Sequence, residues 1–195
     1  GAMLVTERPG RLRRVNADFT LDPEPIAGVP EVLASAYKGL MDVALHPDYD
    51  ANGWVYLTYA KRLPGETDEN WDRLTGPAAT VALARGRYDG AHALTDVEDL
   101  FVADAATSGV SAGRMAFAPD GTILLGIGAP SYLLAEGGTN RVGSVHDAQD
   151  PTSHAGKILR LADDGSVPAD NPFVMNAAYR REIYALGIRN PTGLI

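Results

Sequence analysis

Short apolar runs, each broken by Pro, Asp, Asn or Gly, recur along the whole chain. MAFAPDGTILLGIG (115–128) shows the pattern best: an apolar run, then Pro119-Asp120-Gly121, then a second apolar run. Pro presets one turn dihedral and Gly accepts a positive φ, so the stretch predicts strand, tight turn, strand. VALHPDYDANGWVYLTY (43–59) repeats the phrase with a longer loop, where Asn52-Gly53 supplies the turn. Further strands are predicted in LVTERPGRLRRV (4–15), ATVALARGRYDG (79–90), DVEDLFVA (96–103), GKILRLADDGSV (156–167) and EIYALGIRNPTGLI (182–195). Val43, Leu45, Val55, Leu57, Met115, Phe117, Ile123, Leu125, Ile158 and Leu159 are the expected core.

The two phrases begin at residues 43 and 115. That spacing exceeds the usual short propeller repeats but suits four-stranded units with long insertions. The insertions are 61–78 and 129–155, and loops of that length in a compact β fold are often functional. Repeated four-strand units read as a β-propeller.

Composition narrows the possibilities. The 195 residues are 45% hydrophobic and 22% charged, enough for a sizeable core in one domain. The 21 Gly and 13 Pro are spread along the chain, as many tight turns require. A formal net charge of −8 argues against a nucleic-acid or anionic-membrane partner. Arg11, Arg13 and Arg14 form a local basic patch, expected as solvated side chains on a strand edge. Cysteine is absent, which excludes disulfides, thiolate catalysis and Cys-type zinc sites. No apolar run of membrane-spanning length occurs. Gly1-Ala2-Met3 reads as a remnant of tag removal, with the domain running over 4–195.

GLMDVALHPDYDANGWVYLTY, AGRMAFAPDG, AQDPTSHAGKILRLADDGSVPADNPF and ALGIRNPTGL together resemble the soluble quinoprotein aldose dehydrogenases, the glucose/sorbosone dehydrogenase family. LVTERPGRLRRV is similar to that family's first-blade phrase, and the phrases stand in family order over nearly the whole chain. The resemblance implies an all-β fold, a six-bladed β-propeller of which this chain holds three blades' worth of four-stranded sheets. It implies oxidation of a sugar's anomeric carbon to a lactone, with pyrroloquinoline quinone (PQQ) as oxidant and calcium polarising it. It also implies a periplasmic or secreted location and a sugar ligand.

Carried over by resemblance, Arg189 and Asn190 in GIRNPTG are the quinone-contacting pair. An Arg fork suits carbonyl and carboxylate oxygens, and Asn offers both a donor and an acceptor. The residues alone favour a plainer reading, in which Arg189 braces a turn through backbone carbonyls and Asn190 takes the dihedral before Pro191. The family's catalytic His lies four residues before the Arg of SAGR; that Arg is Arg114, so Val110 stands at the base position and Gly109 where the family has Asp. Valine cannot accept a proton, which predicts weak or absent turnover. Tyr37 stands near the family's Gln, and Gly128-Ala129-Pro130-Ser131-Tyr132 replaces its Gly-Asp and following polar contacts. The family's calcium ligands belong to a later blade. No catalytic or metal-ligating residue is therefore assigned.

The remaining motifs have structural readings. Asp48 and Asp120 are expected to accept backbone N–H groups in their turns. Asp163-Asp164-Gly165 is expected as a hairpin turn, and Asp170-Asn171-Pro172 as a loop lock. His146, Asp147, Asp150 and His154 have spacing a metal can use, without a repeated pattern. Ser108, Ser111 and Ser131 have no spaced partner for a hydrolase, and no nucleophile-elbow motif occurs.

LVTERPG is similar to the second strand of a blade and NPTGLI to a first strand, so neither terminal blade is expected to be complete. Open edges are unfavourable alone. A second copy is expected to close a six-bladed ring with twofold symmetry, or else a complementary half-propeller of different sequence completes it; the alternative function is a non-catalytic half-propeller, a binding or scaffold protein that self-assembles into the ring.

Overall fold

The computed structural model describes residues 1–35, 38–68, 77–106, 112–129 and 145–194. The strands are β1 Met3–Glu7, β2 Arg11–Val15, β3 Leu40–Leu45, β4 Trp54–Arg62, β5 Ala79–Tyr88, β6 Leu94–Val102, β7 Gly113–Phe117, β8 Ile123–Ile127, β9 Lys157–Leu161 and β10 Ile183–Leu186. One short helix, α1 Tyr49–Asn52, sits in the β3–β4 loop, and a 3₁₀ turn spans Val145–Gln149. Met3, grouped with the tag remnant in the sequence reading, is the first residue of β1 and pairs with Val15.

Strands β3-β4-β5-β6 form one antiparallel sheet in chain order, and β7-β8-β9-β10 form another. These are two four-stranded propeller blades. Strands β1 and β2 form a two-stranded sheet, extended by isolated bridges from Leu12 to Ile26 and from Val15 to Leu21. The fold class read from the sequence is the one observed.

Strands β4 and β5 read as unbroken apolar runs because both faces of their sheet are covered. Successive side chains point to opposite faces. Tyr56, Val81 and Leu83 accordingly pack toward Met115, Ile123, Leu125 and Leu159 of the β7–β10 sheet. Val55, Leu57, Ala82 and Ala84 turn the other way, toward Leu12 and Ile26. Val55, Leu57, Met115, Ile123, Leu125 and Leu159 are buried as expected. Val43, Phe117 and Ile158 are half-buried. Leu45 departs from expectation at 47% exposed, because its side of β3 faces an open groove beside β1.

The blades meet along β3 and β7. A Cβ on Gly113 would lie 2.4 Å from Met41 Sδ and 3.2 Å from Val81 Cγ1, so any side chain here would have to displace Met41. One residue further on, Asp42 Oδ2 accepts the Met115 N–H at 3.1 Å. Thr58 Oγ1 donates to the Gly113 carbonyl. Met41 beside Gly113 and Asp42 beside Met115 mean that the two strands run in the same direction.

That direction divides the molecule into two ends. The Pro-Asp turns lie at one. Here Asp120 Oδ1 accepts the Thr122 N–H (3.0 Å) and hydroxyl (2.6 Å), as expected. Asp48 does not behave so: its side chain caps nothing. Its carbonyl closes the α1 turn, and its N–H donates to His46 Nδ1 at 2.9 Å, so the neighbouring imidazole has taken the acceptor role. Asp163-Asp164-Gly165 does form a closed turn, with Asp164 Oδ1 accepting the Ser166 N–H at 2.9 Å. It is not a hairpin turn, since the strand that pairs with β9 begins only at Ile183.

The 162–182 excursion is held by Arg160 and Asn171. Arg160 reaches Asp120 (2.7 Å) and Asp170 (2.8 Å), and buried Asn171 donates to the Arg160 and Arg181 carbonyls. This is the loop lock expected of Asp170-Asn171-Pro172. The basic patch is tied down rather than merely solvated: Arg11 and Arg13 pair with Glu7, and Arg14 donates to the Gly90 carbonyl at 3.0 Å.

Candidate functional site

The opposite end gathers the segments entering β3 and β7, the β4–β5 and β8–β9 connections, and the segment after β10. Both long insertions therefore fall on one end of the sheets. Arg189 and Asn190 lie there. Ala129 donates its N–H to the Arg189 carbonyl, and Asn190 Oδ1 accepts the Ala112 N–H at 2.9 Å. Asn190 thus ties the end of β10's sheet to the start of β7. A Cβ on Gly128 would sit 2.3 Å from Asn190 Oδ1, so glycine there makes the tie possible.

The two members of the pair differ in freedom. Asn190 is half-buried with its oxygen engaged, so it and not the Arg189 side chain does the bracing that the residues alone had given to Arg189. Arg189 is exposed and forms no ion pair with a described carboxylate. A guanidinium placed so can take a planar oxygen ligand bidentately.

Three further charged residues lie at this end or along the inner strands; Lys38 and Asp42 were not singled out in the sequence, and Arg114 only marked the SAGR phrase. Lys38, just ahead of β3, is 1% exposed and donates from Nζ to the Pro77 carbonyl at 2.7 Å. Burial pushes it down to about 8, against the opposing charge of Glu66. Asp42 and Arg114, on the adjoining inner strands β3 and β7, approach to 3.4 Å. Lys38 stands between Tyr37 and the GLMD phrase of the family resemblance, and that position was its only sequence signal.

Both ring nitrogens of His154 lie against carboxylates. The residue is 3% exposed, with Nδ1 2.8 Å from Asp104 Oδ1 and Nε2 against Glu182 Oε1. Arg180 pairs with the other Asp104 oxygen, and the Phe101 ring stands edge-on to the imidazole at 5.1 Å. Burial works against the charged imidazole, but the two carboxylates outweigh it and hold its pKa above the usual value. Asp150 Oδ1 is engaged by the Thr152 N–H and hydroxyl. Among the described residues no group of three or more His, Asp or Glu side chains could hold a metal. Tyr37, Ser108, Gly109, Val110, Ser111, Pro130, Ser131 and Tyr132 lie outside the described residues, as does the His146 side chain.

Comparison with known proteins decides the family. The glucose / sorbosone dehydrogenase family model matches residues 1–195. The chain belongs to this family. It is 33% identical to the aldose sugar dehydrogenase of Escherichia coli, over 98% of this chain and 46% of that protein. It is 29% identical to quinoprotein glucose dehydrogenase B of Acinetobacter calcoaceticus, over 97% of this chain and 40% of that one. A glucose dehydrogenase crystal structure superposes with a TM-score of 0.79 at 34% identity, over 96% of this chain and 48% of that chain. The PQQ-bound aldose sugar dehydrogenase of Streptomyces coelicolor superposes with a TM-score of 0.70 at 26% identity, over 97% and 48%. The family member described here thus spans under half the length of the curated relatives it matches.

Proposed function

We propose that the loop end of this chain is the quinone-facing surface of a sugar-oxidising propeller, with Arg189 as the anchoring cation and Asn190 as its brace. The exposed, unengaged guanidinium of Arg189 beside an anchored Asn190 carries this reading. Bound there, PQQ would supply the acceptor for the two electrons leaving a sugar C1–H bond. Arg189 would hold its oxygens, and the Asn190 amide group would donate to a carbonyl while its oxygen keeps Ala112. Among the described residues no cluster of three or more carboxylate or imidazole side chains would hold calcium.

The lactol hydroxyl must lose its proton as C1 is oxidised, and a positioned base contributes about 10²–10⁴-fold in rate. Val110 stands at the family's base position, so turnover by this chain is expected to be weak or absent even with PQQ and calcium supplied. Titration with PQQ followed by visible absorbance should show saturable binding that Arg189→Ala weakens at least tenfold. Equal binding by wild type and Arg189→Ala would remove Arg189 from the site. Brisk aldose oxidation by the unaltered chain would show that the base lies elsewhere.

A second reading concerns partners. Met3 (48% exposed) and Val5 (42%) leave an apolar face of the two-stranded sheet open to water. We propose that a second copy of the chain, or a complementary half-propeller, covers it. Light scattering should give a mass above that of one chain, and a folded monomer at micromolar concentration would refute the proposal.

A further inference from the structure

Residues 150–155 are the last stretch before β9, at the loop end. They meet the other blade at Asp104, just beyond β6, through a reciprocal pair of bonds. The His154 N–H donates to Asp104 Oδ1 at 2.8 Å, and the Asp104 N–H points at His154 Nδ1 at 3.0 Å. Asp104 Oδ1 also lies 2.8 Å from Nδ1, and Glu182 Oε1 faces Nε2. Arg180 ties the same stretch from the β10 side. Its N–H donates to the Pro151 carbonyl, its Nε to the Thr152 carbonyl, and its guanidinium pairs with Asp104.

The ring contacts change value with the proton count of the imidazole. A ring nitrogen carries either a hydrogen or a lone pair. The imidazolium donates from both nitrogens to the two carboxylates. A neutral ring has one hydrogen to place. On Nε2 it serves Glu182 and lets Nδ1 accept the Asp104 N–H, but the Nδ1 lone pair then stands 2.8 Å from Asp104 Oδ1. On Nδ1 it serves Asp104 and leaves the Nε2 lone pair against Glu182. Either tautomer sets a lone pair against a carboxylate, and the ring is too buried for water to intervene without an opening. The surrounding groups do not relieve this. Arg180 keeps Asp104 an anion, and β6 contributes the Phe101 ring. On the segment of His154 itself, Asp150 is engaged by Thr152, and Lys157 Nζ by the Asp147 and Ala155 carbonyls.

We infer that His154 is a proton-operated fastener between the two blades: protonated, it clamps residues 150–155 to Asp104; deprotonated, it lets that stretch open while the sheets stay folded. A segment held by a few buried polar bonds can open without the rest of the fold. The consequence is a loop end that is tight near pH 6 and looser in alkali. The inference stands independently of the quinone and partner readings.

The test is NMR on the full chain from pH 5 to 9, following the His154 ring nitrogens together with amide hydrogen exchange, corrected for the intrinsic effect of pH on exchange. Protection of the His154 and Asp104 amides should fall at least tenfold as the ring loses its proton, with the same midpoint, while amides in β4 and β5 keep theirs. Glu182→Gln should bring the midpoint to lower pH, since one of the two carboxylates is gone. His154→Gln, with a fixed donor and acceptor and no proton to lose, should flatten the profile. Protection independent of pH, a loss that does not coincide with the ring titration, or a ring that keeps one protonation state throughout would overturn the inference. So would a folded His154→Gln chain with the wild-type profile, or an equal loss in β4 and β5, which would mean that the whole fold responds rather than the fastener. The wild-type midpoints decide the matter even where a variant fails to fold.

Discussion

Replacing His154 with leucine tests how the β9 edge is held. The imidazole lies between Asp104 and Glu182, whose side chains are 35% and 15% exposed. Removing one member of a buried ionic cluster costs about 3–5 kcal/mol, because its partners stay buried without their counter-charge. Arg180 still neutralises Asp104, and Asp104 is partly solvated, so the lower part of that range applies: about 3 kcal/mol near pH 6. For a chain of this size that corresponds to a fall in Tm of roughly 6–12 °C.

The pH dependence sharpens the test. The folded pKa of His154 is raised, so its contribution is complete below its unfolded value near 6.5 and is lost as pH rises through the folded value. The folded pKa values of Asp104 and Glu182 are lowered. Burial works against the Asp104 carboxylate, but its bonds to His154 outweigh it; for Glu182 the bond to His154 is the leading cause. Their contributions are therefore lost on acidification below about 4.5. Chemical denaturation from pH 4 to 9 should show wild type losing stability above pH 6.5, with the His154→Leu curve lacking that slope. A loss under half a kcal/mol at pH 6, or parallel curves in the alkaline limb, would show that the cluster contributes nothing to folding.

Leu57→Ala should cost about 2–5 kcal/mol and Leu45→Ala about 1 kcal/mol or less, since the first is 1% and the second 47% exposed; equal losses by urea denaturation would contradict the packing described. Gly128→Ala should cost about 1–3 kcal/mol by driving a methyl into Asn190 and should weaken PQQ binding with it; an unchanged Tm would mean the Asn190 tie is dispensable. Lys38, held at about 8 against an ordinary 10.5, leaves the unfolded chain with more bound protons between those values. Stability should therefore rise with pH across that window in wild type relative to Lys38→Met, and coincident profiles would place the ammonium in water. Val110→His with Gly109→Asp should raise aldose oxidation in the presence of PQQ and calcium, measured with an artificial electron acceptor, if the base position is correctly assigned.

The strands were legible because the chain spells them locally: apolar runs stopped by Pro-Asp, Asn-Gly or Asp-Gly leave little else for Met115–Ile127 to do. What escaped was set by distance. The partners of His154 are Asp104, fifty residues earlier, and Glu182, and no local pattern links the three. Leu45 reads as core because its own strand is apolar; its exposure depends on what lies beside β1. Asp48 failed for a nearer reason, since α1 closes its loop through the backbone and His46 occupies the acceptor position. Asn190 was legible as one of a pair, but its hold on Ala112 required the sheet ends to be brought together.

The β4–β5 and β8–β9 connections, 63–78 and 128–156, leave the sheets from one end, while the opposite end carries the turns at 46–53, 89–93 and 118–122 and the 162–182 excursion that Arg160 and Asn171 hold down. Lengthening a flexible loop is cheap: each doubling adds only about 0.6 kcal/mol of closure entropy. Residues can therefore be added, deleted or exchanged at that end without disturbing the rungs of β4 on β5 or β8 on β9. On the proposed function, a change of substrate preference would be made in these segments and leave the apolar core of the blades untouched. Grafting a relative's 63–78 or 128–156 segment onto these blades is accordingly a practical route to a new pocket on an unchanged frame.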